Sequence, residues 1–418
     1  MIGEEEYLRY DEGDEEEWLP TRAHPYEVGD IIRDYKDAFY SKYKPVPQVR
    51  KVLGRLAICR TRELGGHVDV CPECGEIHVS YNSCRDRHCP KCQGKERELW
   101  VEARKEEVMP VTYFHAVFTV PDCLHPIAIA NQSIFYGCMF RAVWETLSAF
   151  FHNAIRNTPL QGGLTAILHT WGSKMFYHPH LHCIVPAGGV DGKGVWHHLK
   201  HARDETAFLF SVRAMSKKFF GCFMGMLTKE LAKVGVVIPQ DVRKAAKDKK
   251  WVVYCRPPAR SVDQVIEYLG RYAYRVALSN GRIKNVSDDG QVTYDYKDYK
   301  DLDADGVPKH KLLTMHAVDF LHLFSLHILP QAFVRIRHYG ILAPCNRSKI
   351  RAIQEQLSSE IILPEHRERR NFLWLCEARG WSKPGLCPCC GTELVTIASY
   401  PSPRAPPKAQ VASVRHHS

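Results

Sequence analysis

The sequence predicts an α/β (α+β) fold, a mixed sheet with flanking helices, preceded by a small cysteine-rich module and followed by a mostly helical C-terminal region. Three observations lead there. From 112 to 278 strand-like and helix-like segments alternate, as they do when helices pack on a sheet. From 67 to 92 the cysteines fall in closely spaced pairs, in a stretch too short to bury a core of its own. Hydrophobic residues are 45% of the 418 and charged residues 25%, ordinary globular values. No apolar run approaches the ~20 residues of a membrane span, so no membrane partner is expected.

The chain opens with an acidic arm, taken as 1–28. Residues 1–17 carry nine acids against Arg9, a net of −8, so the remainder bears +18 of the formal +10. The arm reads as solvated and disordered, the rest as a surface suited to a polyanion. The acidic start has neither the basic end nor the apolar run of a signal peptide, which points to a cytoplasmic location and reduced thiols. Residues 20–47 form a mixed lead-in, 48–66 predicts a helix, and KERELWVEARKEE at 95–107 a charge-paired, solvated one. TYFHAVFTVP at 112–121 alternates and is rich in β-branched and aromatic residues, so it predicts a strand. A helix follows over 131–156, strands near 163–169 and 177–186, a helix over 203–234, a strand at 250–256 and a helix over 261–278. RIKNVS and QVTYDYKDY predict a hairpin, and 316–329 an amphipathic helix. The sheet domain is placed at 108–300 and the helical region at 301–395. From 396 to 418 apolar content is too low to fold.

CPEC at 71–74 and CPKC at 89–92 stand fourteen residues apart. Two such knuckles supply four thiolates that can close tetrahedrally on zinc, and the metal then replaces a core. Cys71, Cys74, Cys89 and Cys92 are therefore expected to ligate one zinc, with His67, Cys84 and His88 as possible further ligands. Arg85, Arg87, Lys91 and Lys95 crowd the second knuckle, so 29–107 is read as a zinc-binding domain that recognises DNA. CPCC at 387–390 looks like half a zinc site, with Cys376 or Cys345 as possible partners for Cys387 and Cys390.

Along YHPHLHCIV, His180 and His182 point to one side of a strand while Leu181 faces the other. His-apolar-His is a compact platform for a divalent ion. His169, at the end of the preceding strand, is the expected third ligand and His178 its competitor, although Pro179 suggests that pairing starts only near 180. Downstream, Ser261 and Gln264 fit a capping box for a helix in which Tyr268 and Tyr272, four apart, share a face. Gly270 between them suits a close approach to the backbone, Arg271 and Arg275 form a second such pair suited to DNA, and Tyr274 lies off the face as a structural residue. A phenolate can attack a phosphodiester if a metal polarises the phosphate.

Cysteine module, His-hydrophobe-His strand and two-tyrosine helix, in this order, resemble the two-tyrosine HUH transposases of the insertion sequence 91 family. The likeness runs over roughly 30–395 and includes SCRDRHCPKCQ, FTVPDCLHPIAIAN, HTWG, HPHLHCIVPAGG, YLGRYAYRVALSNGRI, YKDY and FVRIRHYGILA. It implies an HUH-type, mainly antiparallel sheet, with His180 and His182 as metal ligands and Tyr268 and Tyr272 as nucleophiles. The eleven-residue interval from His169 to His180 is similar to the three-histidine spacing of relaxases. It further implies a rolling-circle transposase that nicks DNA through 5′-phosphotyrosine intermediates with Mg or Mn. Its partners would be single-stranded or hairpin-marked element ends, and its place in the cell the nucleoid. Unlike related helitron proteins, the chain has no G-x-x-x-x-G-K-[ST], so strand separation falls to host replication or helicase machinery. The residues alone leave other readings open: a zinc-ribbon DNA-binding regulator without catalysis, a plasmid-type replication initiator or relaxase, or a metal-dependent hydrolase.

Overall fold

The computed structural model describes residues 24–199, 209–255, 265, 270, 272–360, 362–364 and 370–401. Most of the acidic arm, the tail beyond 401, the expected cap at Ser261 and Gln264, and Tyr268 and Arg271 lie outside these residues.

The lead-in is a helix, α1 (Val28–Tyr43), opened by a reciprocal Glu27–Asp30 capping box and burying Val28, Ile31, Ile32 and Phe39. A second helix, α2 (Pro47–Ala57), begins with proline at its first turn, where no N–H is needed. The expected 48–66 helix ends there, because Gly66 must take a strand conformation: β1 (Gly66–Val70) and β2 (Ile77–Tyr81) form an antiparallel hairpin around the CPEC turn. After the second knuckle comes α3 (Gln93–Lys105).

The central sheet is built from β3 (Tyr113–Thr119), β4 (Gly163–Trp171) and β5 (Tyr177–Pro186). Between β3 and β4 lie α4 (His125–Ala130) and the long α5 (Gln132–His152). A small ribbon follows, β6 (Gly188–Val190) with β7 (Trp196–His198). Beyond it are α6 (Val212–Ala232), α7 (Gln240–Asp248) and β8 (Val253–Cys255). On α6, Phe219, Phe223, Leu227 and Leu231 recur every four residues and are fully buried, a stripe that packs with α5 on one sheet face. Leu168, Leu181 and Phe118, neighbours across three strands, point into this core. Each such side chain contributes on the order of 2–3 kcal/mol by leaving water.

Past the tyrosine segment, β9 (Ile283–Val286), β10 (Gln291–Leu302) and β11 (Pro308–His316) make an antiparallel sheet that leads into α8 (Ala317–Ser325). Then comes β12 (Ile336–Gly340), which pairs with β4 and completes a five-stranded antiparallel sheet in the order β12-β4-β5-β3-β8. The remaining elements are α9 (Arg347–Gln356), α10 (Phe372–Arg379) and β13 (Val395–Tyr400).

The mixed α+β fold with antiparallel sheets is as expected, but three expected boundaries are corrected. The sheet domain does not end at 300, since FVRIRHYG supplies its edge strand, and 301–395 is not mostly helical. The segment from 396 is not wholly disordered: β13 pairs with β1, and the sheet order β13-β1-β2 joins the last described strand to the hairpin that carries CPEC. Nor is 29–107 a separate unit, because α1 and α2 share a core with Ala277, Leu278, Val292, Tyr294, Phe320 and Phe324. In each case the missing information was the distant partner that a strand or helix face would meet.

Candidate active site

The other face of the central sheet carries the histidines. Register places His169 opposite His180 and Ile167 opposite His182, and directly opposed residues of an antiparallel pair point to the same side. The three imidazoles are 0–4% exposed, and one ring nitrogen from each lies within 4.8 Å of the others. His169 is thus brought together with His180 and His182. His178 is not: its backbone carbonyl accepts from His180 Nδ1 at 2.7 Å, while its ring sits 5.3 Å from that of His180, toward His125.

The second nitrogen of each ring is tied down. His169 Nε2 donates to the Tyr272 carbonyl at 2.9 Å, His180 Nδ1 to the His178 carbonyl, and His182 Nδ1 pairs with His115 Nε2 at 3.0 Å. That leaves His169 Nδ1, His180 Nε2 and His182 Nε2 as the lone-pair nitrogens, with the last two 3.0 Å apart. Burial lowers the basicity of all three, His180 to about 4, and the charges of Arg275 and Arg335 push His169 further down. At neutral pH the rings are uncharged, the form that ligates a cation. The donor set therefore fits a divalent ion.

Tyr272 closes this centre. Its ring lies 4.5 Å from that of His182, 5.8 Å from His169 and 6.1 Å from His115, and it is 4% exposed. A Cβ on Gly270 would come within 3.0 Å of Val101, so the glycine serves the packing of this segment on α3. Tyr274 packs edge-on to Trp100, with Arg335 over its ring, as a structural residue would.

The cysteines do not form the single expected site. Cys59, Cys84, Cys89 and Cys92 make one group, and Cys71, Cys74, Cys387 and Cys390 another, each with all sulfurs within 4.8 Å. The two knuckles cannot share an ion because β1–β2 carries CPEC away as a hairpin turn while CPKC closes against the end of α2. Cys376 and Cys345 belong to neither group, nor do His67, which faces Asp69 at 3.3 Å, and His88. Asp86 holds His88 Nδ1 at 2.8 Å, and His88 Nε2 accepts from the Leu329 amide, so this ring is a strut between the module and the 329 loop.

The expected basic face is also narrower. Arg87 donates to the carbonyls of Pro330 and Phe333, and Lys91 pairs with Glu27 at 2.6 Å with its side chain 15% exposed. Arg85 remains exposed, and Lys95 lies over the Phe372 ring. The sequence reading missed Cys59, a lone cysteine with no knuckle partner, and His115. The one signal for His115 was a histidine at an alternating position of an otherwise apolar strand.

With this geometry in view, residues 163–349 match a family model described as "Putative transposase", and residues 31–120 one described as "Transposase zinc-binding domain". The class is that of transposases, proteins that act on DNA, with a zinc-binding module. The chain is 35% identical over 405 residues, 91% of its length and 97% of the relative's, to "Putative transposase y4qJ" of Sinorhizobium fredii. To the "Transposase for insertion sequence element IS801" of Pseudomonas savastanoi pv. phaseolicola it is 26% identical over 355 residues, 82% of each chain. The protein belongs to the insertion sequence 91 family of transposases. No solved structure matches it. Among the described residues no helix is long and apolar enough to cross a membrane.

Proposed function

We propose that this transposase is an HUH-type single-strand endonuclease and strand transferase, with His169, His180 and His182 holding a divalent ion and Tyr268 and Tyr272 as its nucleophiles. The observation that carries the reading is the placement of the Tyr272 ring 4.5 Å from the His182 ring, at a buried centre of three neutral imidazoles. Mg or Mn bound there would withdraw charge from the scissile phosphate. An all-imidazole set favours Mn over Mg, which prefers oxygen donors.

The phenolate oxygen attacks phosphorus, the bond to the 3′ oxygen breaks, and that oxygen leaves as a 3′-OH after taking up a proton. One phosphodiester is exchanged for another, so the step requires no nucleotide hydrolysis, in keeping with the missing P-loop motif. The second tyrosine accepts the second transfer, which gives rolling-circle movement of one strand. Substrates are single-stranded or hairpin-bearing element ends, exposed by host replication or helicase machinery, in the cytoplasm at the nucleoid.

Single-stranded oligonucleotides spanning the DNA that flanks the reading frame, incubated with the protein and Mn, test this. A covalent protein–DNA adduct is expected, lost in the Tyr268→Phe/Tyr272→Phe double variant and reduced at least 100-fold in His180→Ala. Cleavage that survives the double tyrosine variant but not His180→Ala would instead indicate a hydrolase using water.

A further inference from the structure

We propose that Cys71, Cys74, Cys387 and Cys390 hold a second zinc ion, distinct from that of the Cys59, Cys84, Cys89 and Cys92 group, and that this ion fastens the C-terminal segment onto the N-terminal module. The C-terminal pair lies outside both matched segments, 31–120 and 163–349. The sulfurs of Cys71 and Cys390 are 3.4 Å apart, those of Cys74 and Cys387 3.6 Å, and those of Cys74 and Cys390 3.8 Å. With zinc–sulfur bonds of ~2.3 Å, a tetrahedral site requires separations of ~3.8 Å. Two disulfides would instead draw the sulfurs into pairs at ~2.05 Å, and the near-equal spacing is that of a tetrahedron.

The local backbone repeats in the two halves. In CPECG the Gly75 amide donates to the Cys71 carbonyl at 2.9 Å and the Cys71 amide to the Glu76 carbonyl at 2.9 Å. In CPCCG the Gly391 amide donates to the Cys387 carbonyl at 2.8 Å and the Cys387 amide to the Thr392 carbonyl at 2.8 Å. Gly75 and Gly391 have φ of 72° and 76°, where a side chain is strained. Two matching knuckles face each other, as in a zinc ribbon whose halves lie more than 300 residues apart in sequence.

Packing alone gives little reason for the C-terminal half to stay. Val395, Ile397 and Tyr400 of β13 are 50%, 52% and 59% exposed, so the segment is held by its ladder to β1, by the hydrogen bond from Thr396 Oγ1 to Asp69 Oδ1 at 2.6 Å, and by the thiol group. Binding would release the thiol protons to solvent and leave four thiolates on the ion.

Zinc counting tests this in a His180→Ala chain, which silences the imidazole centre. Two equivalents are expected, both sulfur-ligated by X-ray absorption, and one after adding Cys387→Ser and Cys390→Ser. A single equivalent in the parent, or two retained in the cysteine variant, overturns the proposal. As a check that needs no cysteine change, a protease site inserted after Ser382 is cut in the full chain. The 383–418 piece should stay bound until zinc is chelated. Its release with zinc present, or its retention after chelation, overturns the clasp.

Discussion

His182 is the residue on which the candidate centre turns, and His115 is what orients it. With its Nδ1 paired to His115 Nε2 at 3.0 Å, His182 presents Nε2 to the cluster. Loss of such an outer partner typically weakens metal binding 10–100-fold. His115→Ala is therefore expected to raise the Mn dissociation constant by about that factor, measured by electron paramagnetic resonance titration at a temperature well below the thermal midpoint, which the loss of a buried, paired ring lowers. Unchanged affinity would assign His115 to packing alone. At this scale the sequence was informative where chemistry repeats at short range: His-x-His fixed one face of β5, and each C-x-x-C knuckle was visible. Cys59 and His115 were not, because their roles depend on residues 25 and 67 positions away. The wrong grouping of the knuckles has the same origin, since any two C-x-x-C pairs can be joined on paper.

Among the elements, β12 shows how a site is finished from a distance. It pairs with β4 from Ile336↔Ile167 to Gly340↔Gly163, beside the strand that carries His169. Gly340 has φ 62°, and a Cβ there would lie 2.0 Å from the Gly162 carbonyl oxygen and 2.6 Å from Trp144. Gly340→Ala should cost about 2–4 kcal/mol, from the strained backbone and the clash together, read as a lowered urea midpoint; a change below ~0.5 kcal/mol would mean that β12 is not docked as described. Of the expected elements, β3, β4, β5 and α5 form close to their expected bounds, whereas α6 runs over Val212–Ala232 where 203–234 was expected. The helix α1 and the strands β1, β12 and β13 were hidden, since short or mixed segments gain their structure from partners that sequence spacing does not reveal.

For the molecule as a whole, one sheet face is packed with apolar side chains and the other carries buried histidines, and the second choice has a cost. His180 and His327 are buried and held at about 4, whereas in the unfolded chain each titrates near 6.5. Above pH ~7 both states are neutral and the pair contributes no pH dependence. As pH falls through the window from 6.5 to 4 the unfolded chain takes up protons that the native one refuses, so stability drops. By pH 5 the loss is roughly 2 kcal/mol per histidine. Urea unfolding without added Mg or Mn should show this decline between pH 7 and 5, and a flat profile there would place these rings in water.

The nucleophile assignment is open to a more direct measurement than variant activity. Trypsin separates SVDQVIEYLGR, residues 261–271 with Tyr268, from YAYR, residues 272–275 with Tyr272. Mass spectrometry of the digested protein–DNA adduct should find the nucleotide on one or both of these peptides, through the phenol of Tyr268 or Tyr272. A nucleotide on any other peptide, or on Tyr274, would contradict the account.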